Sequence, residues 1–381
     1  YECVPMRFIK HVYKIHTYAQ DGRLFEGKTP VSAFLNSSYD GSFIAGLMEL
    51  RYIQSLPVER IINYFESHGF TLKKPTAHKL MEKASSLFEN LYKCIRQTAL
   101  SDPYKAADET YYKILVPEKN SKGKGFRKGY LWVVVGINTR MIYLLYDDGS
   151  RSEKVILNEL GGCKGIIQSD GYSPYRKLES DAYPHITRIP CLQHIKRKFI
   201  DCGEDDPDAK RIVEMINTLY QNEHKHKIGV DGWTVEQNLV HRKKYAPDIL
   251  GEIKDVLDDI EERGDLLPKS ELKEAVTYLR NEWNAVVDIF NYGDTYLDNN
   301  IVERMNRYIS LSRKNSLFFG SHKGAERGAI LYTIALTCRM NKVNLFEYLT
   351  DVINRTAEWQ PNTPLEKYRL LLPDRWEKAN D

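Results

Sequence analysis

The sequence predicts an α/β fold: a mixed sheet flanked by helices, interrupted by a helical insertion and preceded by a smaller helical domain. Three observations carry this reading. Short β-rich stretches crowd between residues 104 and 191, every recognisable segment from 208 to 290 is helical, and apolar residues from 42 to 91 recur at helical spacing.

Along residues 5 to 35, short alternating segments such as Phe8 to Ile15 are compatible with a small strand pair. From Ser42 the period lengthens, with Ile44, Leu47, Met48, Tyr52 and Ile53 three and four apart. A second helix is expected from Pro57 to Phe65. A third follows the His68-Gly69 break, from about Ala77 to Leu91, with Lys73 and Lys74 at its entrance. Two short helices, a turn and a longer helix resemble a helix-turn-helix, the unit that sets a recognition helix in the major groove; helical hairpins also simply pack cores, and both readings stay open.

Three β stretches follow: Thr110 to Val116, Tyr130 to Gly136 and Met141 to Tyr146, the last two joined by a short turn. Glu153 to Leu160 reads as a helix stopped by Gly161-Gly162. The apolar strand Gly165 to Gln168 then runs straight into Ser169-Asp170-Gly171. A strand from Ile186 to Cys191 precedes a basic amphipathic helix, Gln193 to Cys202. A meander, a crossover helix and a further strand ending in an acid point to a ribonuclease H-like core. The acidic turn Gly203 to Pro207 opens the helical insertion, after which helices are expected over Thr295 to Ile309 and, buried, over Gly324 to Met340. The expected divisions are a β-like segment over 1–41, a helical DNA-binding domain over 42–100, the core in two parts over 101–206 and 292–345, the insertion over 207–291 and a C-terminal tail over 346–381.

Composition sets limits. With 42% hydrophobic and 28% charged residues the chain is neither disordered nor collagenous. No apolar run approaches the roughly 18 to 20 residues of a membrane span, and the start lacks a signal peptide, so a cytoplasmic location without membrane contact is expected. A first residue of Tyr rather than Met points to a fragment or a processed chain. Six cysteines (Cys3, Cys94, Cys163, Cys191, Cys202, Cys338) without a Cys-x-x-Cys pair argue against a disulfide framework and a zinc ribbon. Net charge is only +3, but basic clusters recur at Lys119 to Lys128, Lys196 to Lys198, His241 to Lys244 and Arg304 to Lys314. Local patches of this kind suit a polyphosphate partner, with plain surface charge the alternative for each.

The acids carry the chemistry. Metal-assisted phosphodiester cleavage needs two or three hard carboxylates converging from separate elements. Asp108 opens the first β stretch and Asp170 ends a strongly apolar strand, where such sheets put their ligands; an Asx-turn is the local alternative for Asp170. In Leu297 to Arg307, Asn299, Glu303 and Arg307 fall on one helical face, with helix capping and a solvated Glu303–Arg307 pair as the alternative. Cys191 and His194 are only two ligands and do not make a zinc site, so a structural or DNA-orienting role is expected for them. His224 and His226 read as an exposed basic stretch.

Asp108-Glu109-Thr110, Gly129-Tyr130-Leu131-Trp132, Ser169-Asp170-Gly171-Tyr172, Cys191-x-x-His194-x-x-Arg197-Lys198-Phe199 and Asp298-Asn299-Asn300-x-x-Glu303-Arg304 closely resemble, in order and spacing, the transposases of the insertion sequence 66 family. So do Arg313 to Ser321 and Asn341 to Leu349, and the resemblance covers about residues 40 to 355. It implies a DDE triad of Asp108, Asp170 and Glu303 binding Mg²⁺ (or Mn²⁺ in its place), with Cys191, His194, Asn299 and Asn300 supporting it. It also implies a bacterial protein, nucleoid-associated when on DNA, that cuts element ends and transfers the 3′ hydroxyl to target DNA. Lys73, Lys74, Lys124, Arg127, Lys128, Arg197, Lys198, Arg304, Arg307, Arg313, Lys314 and Asn315 are the expected DNA contacts. A homo-oligomer on DNA and small accessory proteins are the expected partners. The cysteine pair that the family's N-terminal zinc module would place near Thr17 to Arg23 is missing, which argues against Zn²⁺ there. The alternatives are a DNA-binding relative without catalysis and, from another class, a glycoside hydrolase using two carboxylates.

Overall fold

The computed structural model describes all residues except 3, 4, 28–31, 35, 36, 120–122, 124, 204, 265, 361 and 379–381. An exposed hairpin, β1 (Thr17–Gln20) and β2 (Arg23–Glu26), turns at Asp21 and Gly22, both with positive φ, as a two-residue turn requires to match strand twist. The strand pair expected to include Phe8 to Ile15 is displaced to this hairpin. Among the described residues Phe8 to Ile15 has no partner strand, and Phe8 instead packs its ring 5.0 Å from Phe65 and 4.7 Å from Phe70.

Helices α1 (Gly41–Tyr52), α2 (Val58–Ser67), α3 (Lys74–Leu87) and α4 (Glu89–Ser101) follow. The single helix expected up to Leu91 is two. Phe88 leaves helical geometry (φ −90°, ψ 2°) and is fully buried, so chain direction changes where the ring enters the core. These helices share one hydrophobic cluster with the sheet, through Ile44, Leu47, Leu91 and Ile95.

The main sheet has strands β3 (Tyr104–Leu115), β4 (Phe126–Gly136), β5 (Met141–Leu145), β6 (Gly165–Ser169) and β7 (Ile186–Pro190), in the order β5-β4-β3-β6-β7. The first three form an antiparallel meander, and β6 and β7 run parallel to β3. Leu131 to Val135 is buried throughout, as expected of a central strand covered on both faces. Helix α5 (Glu153–Leu160) makes the crossover to β6, and the short α6 (Ser173–Arg176) lies between β6 and β7. One expectation is corrected here: Asp108 does not open β3 but sits inside it. Lys105, Ala106 and Ala107 are not strong β formers, yet Lys105 and Ala106 are held on both sides, by β4 and by β6, and Ala107 by β4, and that pairing overrides propensity.

After β7 come α7 (Leu192–Ile200) and the insertion, α8 (Pro207–Glu223), α9 (Val235–Arg263) and α10 (Glu271–Ile289). A second hydrophobic cluster joins these helices to β7 and α7 through Ile189, Leu192, Ile195 and Phe199. Two buried guanidiniums anchor the insertion. Arg188 of β7 pairs with Glu282 of α10, and Arg242 of α9 holds Glu223, the Tyr292 carbonyl and Thr295. The chain returns as α11 (Asn300–Asn315) over β3 and β4, then as α12 (His322–Met340) against β5 and α4. Helices α13 (Leu345–Thr356) and α14 (Leu365–Arg369) fold back on α1 and α4. Among the described residues no helix is long and apolar enough to cross a membrane.

Candidate active site

The parallel β3–β6 register pairs Ala106 with Gln168, so two residues further on Asp108 stands level with Asp170, the first residue past β6. Gln168 is buried and fixes that strand end, donating to the carbonyls of Pro190 (3.2 Å) and Tyr296 (2.8 Å). Asp108 turns its carboxylate inward. Its Oδ2 accepts from Asn306 Nδ2 at 2.6 Å and its Oδ1 from the Glu109 amide at 2.8 Å. Burial first, then the negative charges of Asp170 and Glu109, push this carboxyl from 3.8 up to about 8. Asp170 Oδ1 accepts from the Tyr172 amide at 3.1 Å, so the Asx-turn weighed from sequence is present as well. Tyr278 of α10 accepts from the Gly171 amide at 2.8 Å; a Cβ on Gly171 would lie 2.5 Å from that hydroxyl, so a larger residue there would displace the Tyr278 ring.

Helix α11 clamps this strand pair. Asn299 donates to the Ala107 carbonyl (3.0 Å) and Asn306, two turns on, to Asp108; Glu303 lies between them on the same face. The expected third member of that face, Arg307, is exposed instead, because at 3.6 residues per turn position i+7 rather than i+8 returns under Asn299. Glu303 Oε1 sits 3.8 Å from His194 Nδ1. Among the described residues Cys191, His194 and Glu303 form the only group of three such side chains whose ligand atoms all lie within 4.8 Å, so Asp108, Asp170 and Glu303 do not converge to that distance. Cys191 Sγ accepts from the Asn299 amide at 3.2 Å, and burial pushes its thiol up to about 11. Asn300 is exposed, its amide donating to Asp298 at 3.1 Å.

A cleft of about 280 Å³ opens beside Asp170, lined also by Arg151, Tyr172, His194, Arg197, Lys198 and Tyr278. Arg197 and Lys198 are exposed there. Arg304, Arg307 and Lys314 are exposed along α11. Arg313 stacks 3.9 Å over Tyr111 and donates to its carbonyl, and Lys128 lies 4.8 Å from the same ring. Arg127 reaches His322 at 2.8 Å and Asp148 at 3.3 Å. Lys73 caps α3 without a side-chain bond, Lys74 pairs with Glu59 at 2.6 Å, and Asn315 donates to the Ser55 carbonyl at 3.1 Å. Lys124 lies outside the described residues.

Four residues at this site escaped the sequence reading. Asn306 could have been found by carrying the Asn299 face one turn further. Glu109 is held by Arg151 at 2.5 Å and Tyr175 at 3.4 Å. Arg151 and Tyr278 arrive from distant segments and carried no local signal.

The sequence model described as "Transposase IS66 family" matches residues 36–327, well over half of the chain, and spans β3, β6 and α11 together. The chain belongs to the IS66 family of transposases. Three Sinorhizobium fredii relatives of this IS66 chain bear the description uncharacterized protein. They are y4jD, 25% identical over 87% of the chain; y4hP, 24% over 100%; and y4qI, 26% over 96%. The chain spans 65%, 70% and 69% of their respective lengths, about two thirds.

Proposed function

We propose that this IS66-family chain is a DDE transposase with a ribonuclease H-like core, cutting element ends and joining the freed 3′ hydroxyl to target DNA, with Asp108, Asp170 and Glu303 as its acids. Membership of a transposase family implies a part in DNA transposition. The sheet order, a meander followed by two strands parallel to its first, supports the core assignment. The observation that carries the catalytic reading is the Asp108–Asp170 pair: two acids at the same level, one in β3 and one just past the parallel β6, the first raised to about 8 by burial and by the other's charge.

That donor set fits a divalent cation. Its oxygens are hard, the acid pair is mutually repelling without a counter-charge, and Glu303 Oε1, Asn306 Oδ1 and Asn299 Oδ1 are buried without a hydrogen bond. Asp108 and Asp170 would hold Mg²⁺ or Mn²⁺, with Glu303 completing the set; when bound, the cation would supply charge neutralisation at the attacking and departing oxygens of the phosphate. The protein's own groups do the positioning. Asn306 fixes the Asp108 carboxylate, Tyr278 fixes the turn after Asp170, and Arg151 engages Glu109, leaving Asp108 as the acid free for substrate chemistry. Arg197 and Lys198 bind phosphate in the cleft, a task for guanidinium forks and point charges rather than for base readout. The helices of residues 42–100 are the proposed DNA-binding unit, and a homo-oligomer on DNA, with small accessory proteins, the proposed assembly.

The test is strand cleavage and joining of labelled element-end DNA with Mg²⁺, comparing wild type with Asp170→Asn and Glu303→Gln. Loss of cleavage in both variants with DNA binding retained supports the triad. A wild type that binds but never cuts, even with Mn²⁺ and accessory proteins, leaves a DNA-binding relative as the better account.

A further inference from the structure

Three ligand-bearing side chains of different chemistry meet beside the acid pair. Cys191 caps α7, His194 lies one turn in, and Glu303 reaches across from α11; sulfur, ring nitrogen and carboxylate oxygen all lie within 4.8 Å of one another. Two hydrogen bonds from backbone amides, one to a carbonyl and one to the Cys191 sulfur, lock the elements that carry them. The Leu192 amide donates to the Leu297 carbonyl at 2.9 Å, and the Asn299 amide to Cys191 Sγ at 3.2 Å. His194 Nδ1 and Glu303 Oε1 are shut away from solvent, 3.8 Å apart, and neither makes a hydrogen bond. Buried polar atoms in native proteins almost always make a hydrogen bond, so two that face each other at ion-pair distance without one point to a ligand between them.

We propose that Cys191, His194 and Glu303 form a site for one thiophilic divalent cation of the zinc class. Sulfur, imidazole nitrogen and carboxylate are the donors zinc takes, whereas Mg²⁺ takes oxygen alone, so this site and the Asp108–Asp170 pair select different ions. Bonds of about 2.0–2.3 Å to a tetrahedral ion put ligand atoms about 3.3–3.8 Å apart. Closing the trio therefore needs movements of about an ångström, within reach of His194 and Glu303, whose side chains are 29% and 33% exposed. The thiol proton leaves to solvent as the sulfur–metal bond forms, and the Asn299 amide already provides the second hydrogen-bonding layer that orients a ligating sulfur. Three protein ligands leave the fourth position open to water. A regulatory consequence rests on the phosphoryl-transfer reading above: an ion held here ties up Glu303, so zinc-class ions inhibit the Mg²⁺-dependent reaction.

The test uses Co²⁺ as the probe on the full metal-free chain. The expected result is a sulfur-to-cobalt charge-transfer band that saturates at one equivalent per chain, that Zn²⁺ abolishes, that is lost in Cys191→Ser, and that needs at least about tenfold more Co²⁺ in His194→Asn. Absence of the band, or its persistence in Cys191→Ser, overturns the proposal. If Cys191→Ser does not fold, undiminished Co²⁺ affinity in His194→Asn overturns it. Asp108→Asn keeps the band; an intact band in a wild type that never cuts DNA refutes only the catalytic reading, and a missing band in a wild type that does cut refutes only the cation site.

Discussion

Replacing Asp108 by Asn removes a charge that the folded protein holds at a cost. The carboxyl is raised from 3.8 to about 8 by burial, then by Asp170 and Glu109. A folded-state value above the unfolded one means that the native state binds this proton more tightly. The native state therefore loses stability as pH rises from about 4 to about 8, and the full penalty stands above that window. About four pH units at 1.36 kcal/mol each set a ceiling near 5 kcal/mol; relaxation and coupling to Asp170 reduce the realised figure to about 2–3 kcal/mol. Asn keeps an oxygen for Asn306 Nδ2 but loses the acceptor for the Glu109 amide, which costs about 1 kcal/mol. The net gain is about 1–2 kcal/mol at pH 9 and about zero or slightly negative at pH 5. With an unfolding entropy near 2.1 cal/mol/K per residue over 381 residues, that is about 1–3 °C. Thermal melts of both proteins in chelator at the two pH values measure it. Adding Mg²⁺ should raise the wild-type midpoint and leave Asp108→Asn nearly unmoved. A variant no more stable than wild type at pH 9, or one with an equal gain at pH 5, would refute the assignment of Asp108 as a strained, cation-seeking acid.

Asn306→Leu removes the donor that fixes the Asp108 carboxylate, and strand cleavage should fall about 10- to 100-fold, with the Mg²⁺ requirement rising, in a Mg²⁺ titration of activity. Arg197→Ala with Lys198→Ala should weaken DNA binding uniformly across sequences and lower the slope of log affinity against log salt by about 2, one unit per phosphate contact; an unchanged slope places the DNA elsewhere. Arg242→Met strands Glu223 and the Tyr292 carbonyl in the insertion and should cost about 3–5 kcal/mol in a thermal melt, partly recovered by adding Glu223→Gln. Arg151→Met frees Glu109 from its ion pair beside the acid pair and should reduce cleavage without changing the salt slope of DNA binding.

Local pattern by itself determined much of this protein. The apolar strand that delivers Asp170, the helix carrying Asn299 and Glu303, the buried α12 and the all-helical insertion are written in periods of two and 3.6, which depend only on neighbours along the chain. The motif spacing alone also points to the family. Tertiary structure decided what neighbours cannot encode. Lys105 and Ala106 became strand because two partner strands hold them, and this put Asp108 level with Asp170. Two-turn geometry against β3 selected Asn306 over Arg307, and Tyr278 came from an insertion more than a hundred residues downstream to hold the turn after Asp170. Cys191 and His194 looked like an incomplete pair because their third companion, Glu303, is remote in sequence; only the meeting of the N-terminal ends of α11 and α7, through Asn299 and Cys191, brings it within reach. Pairing, docking and burial are sums over distant contacts, and those contacts also set the charge state of Asp108.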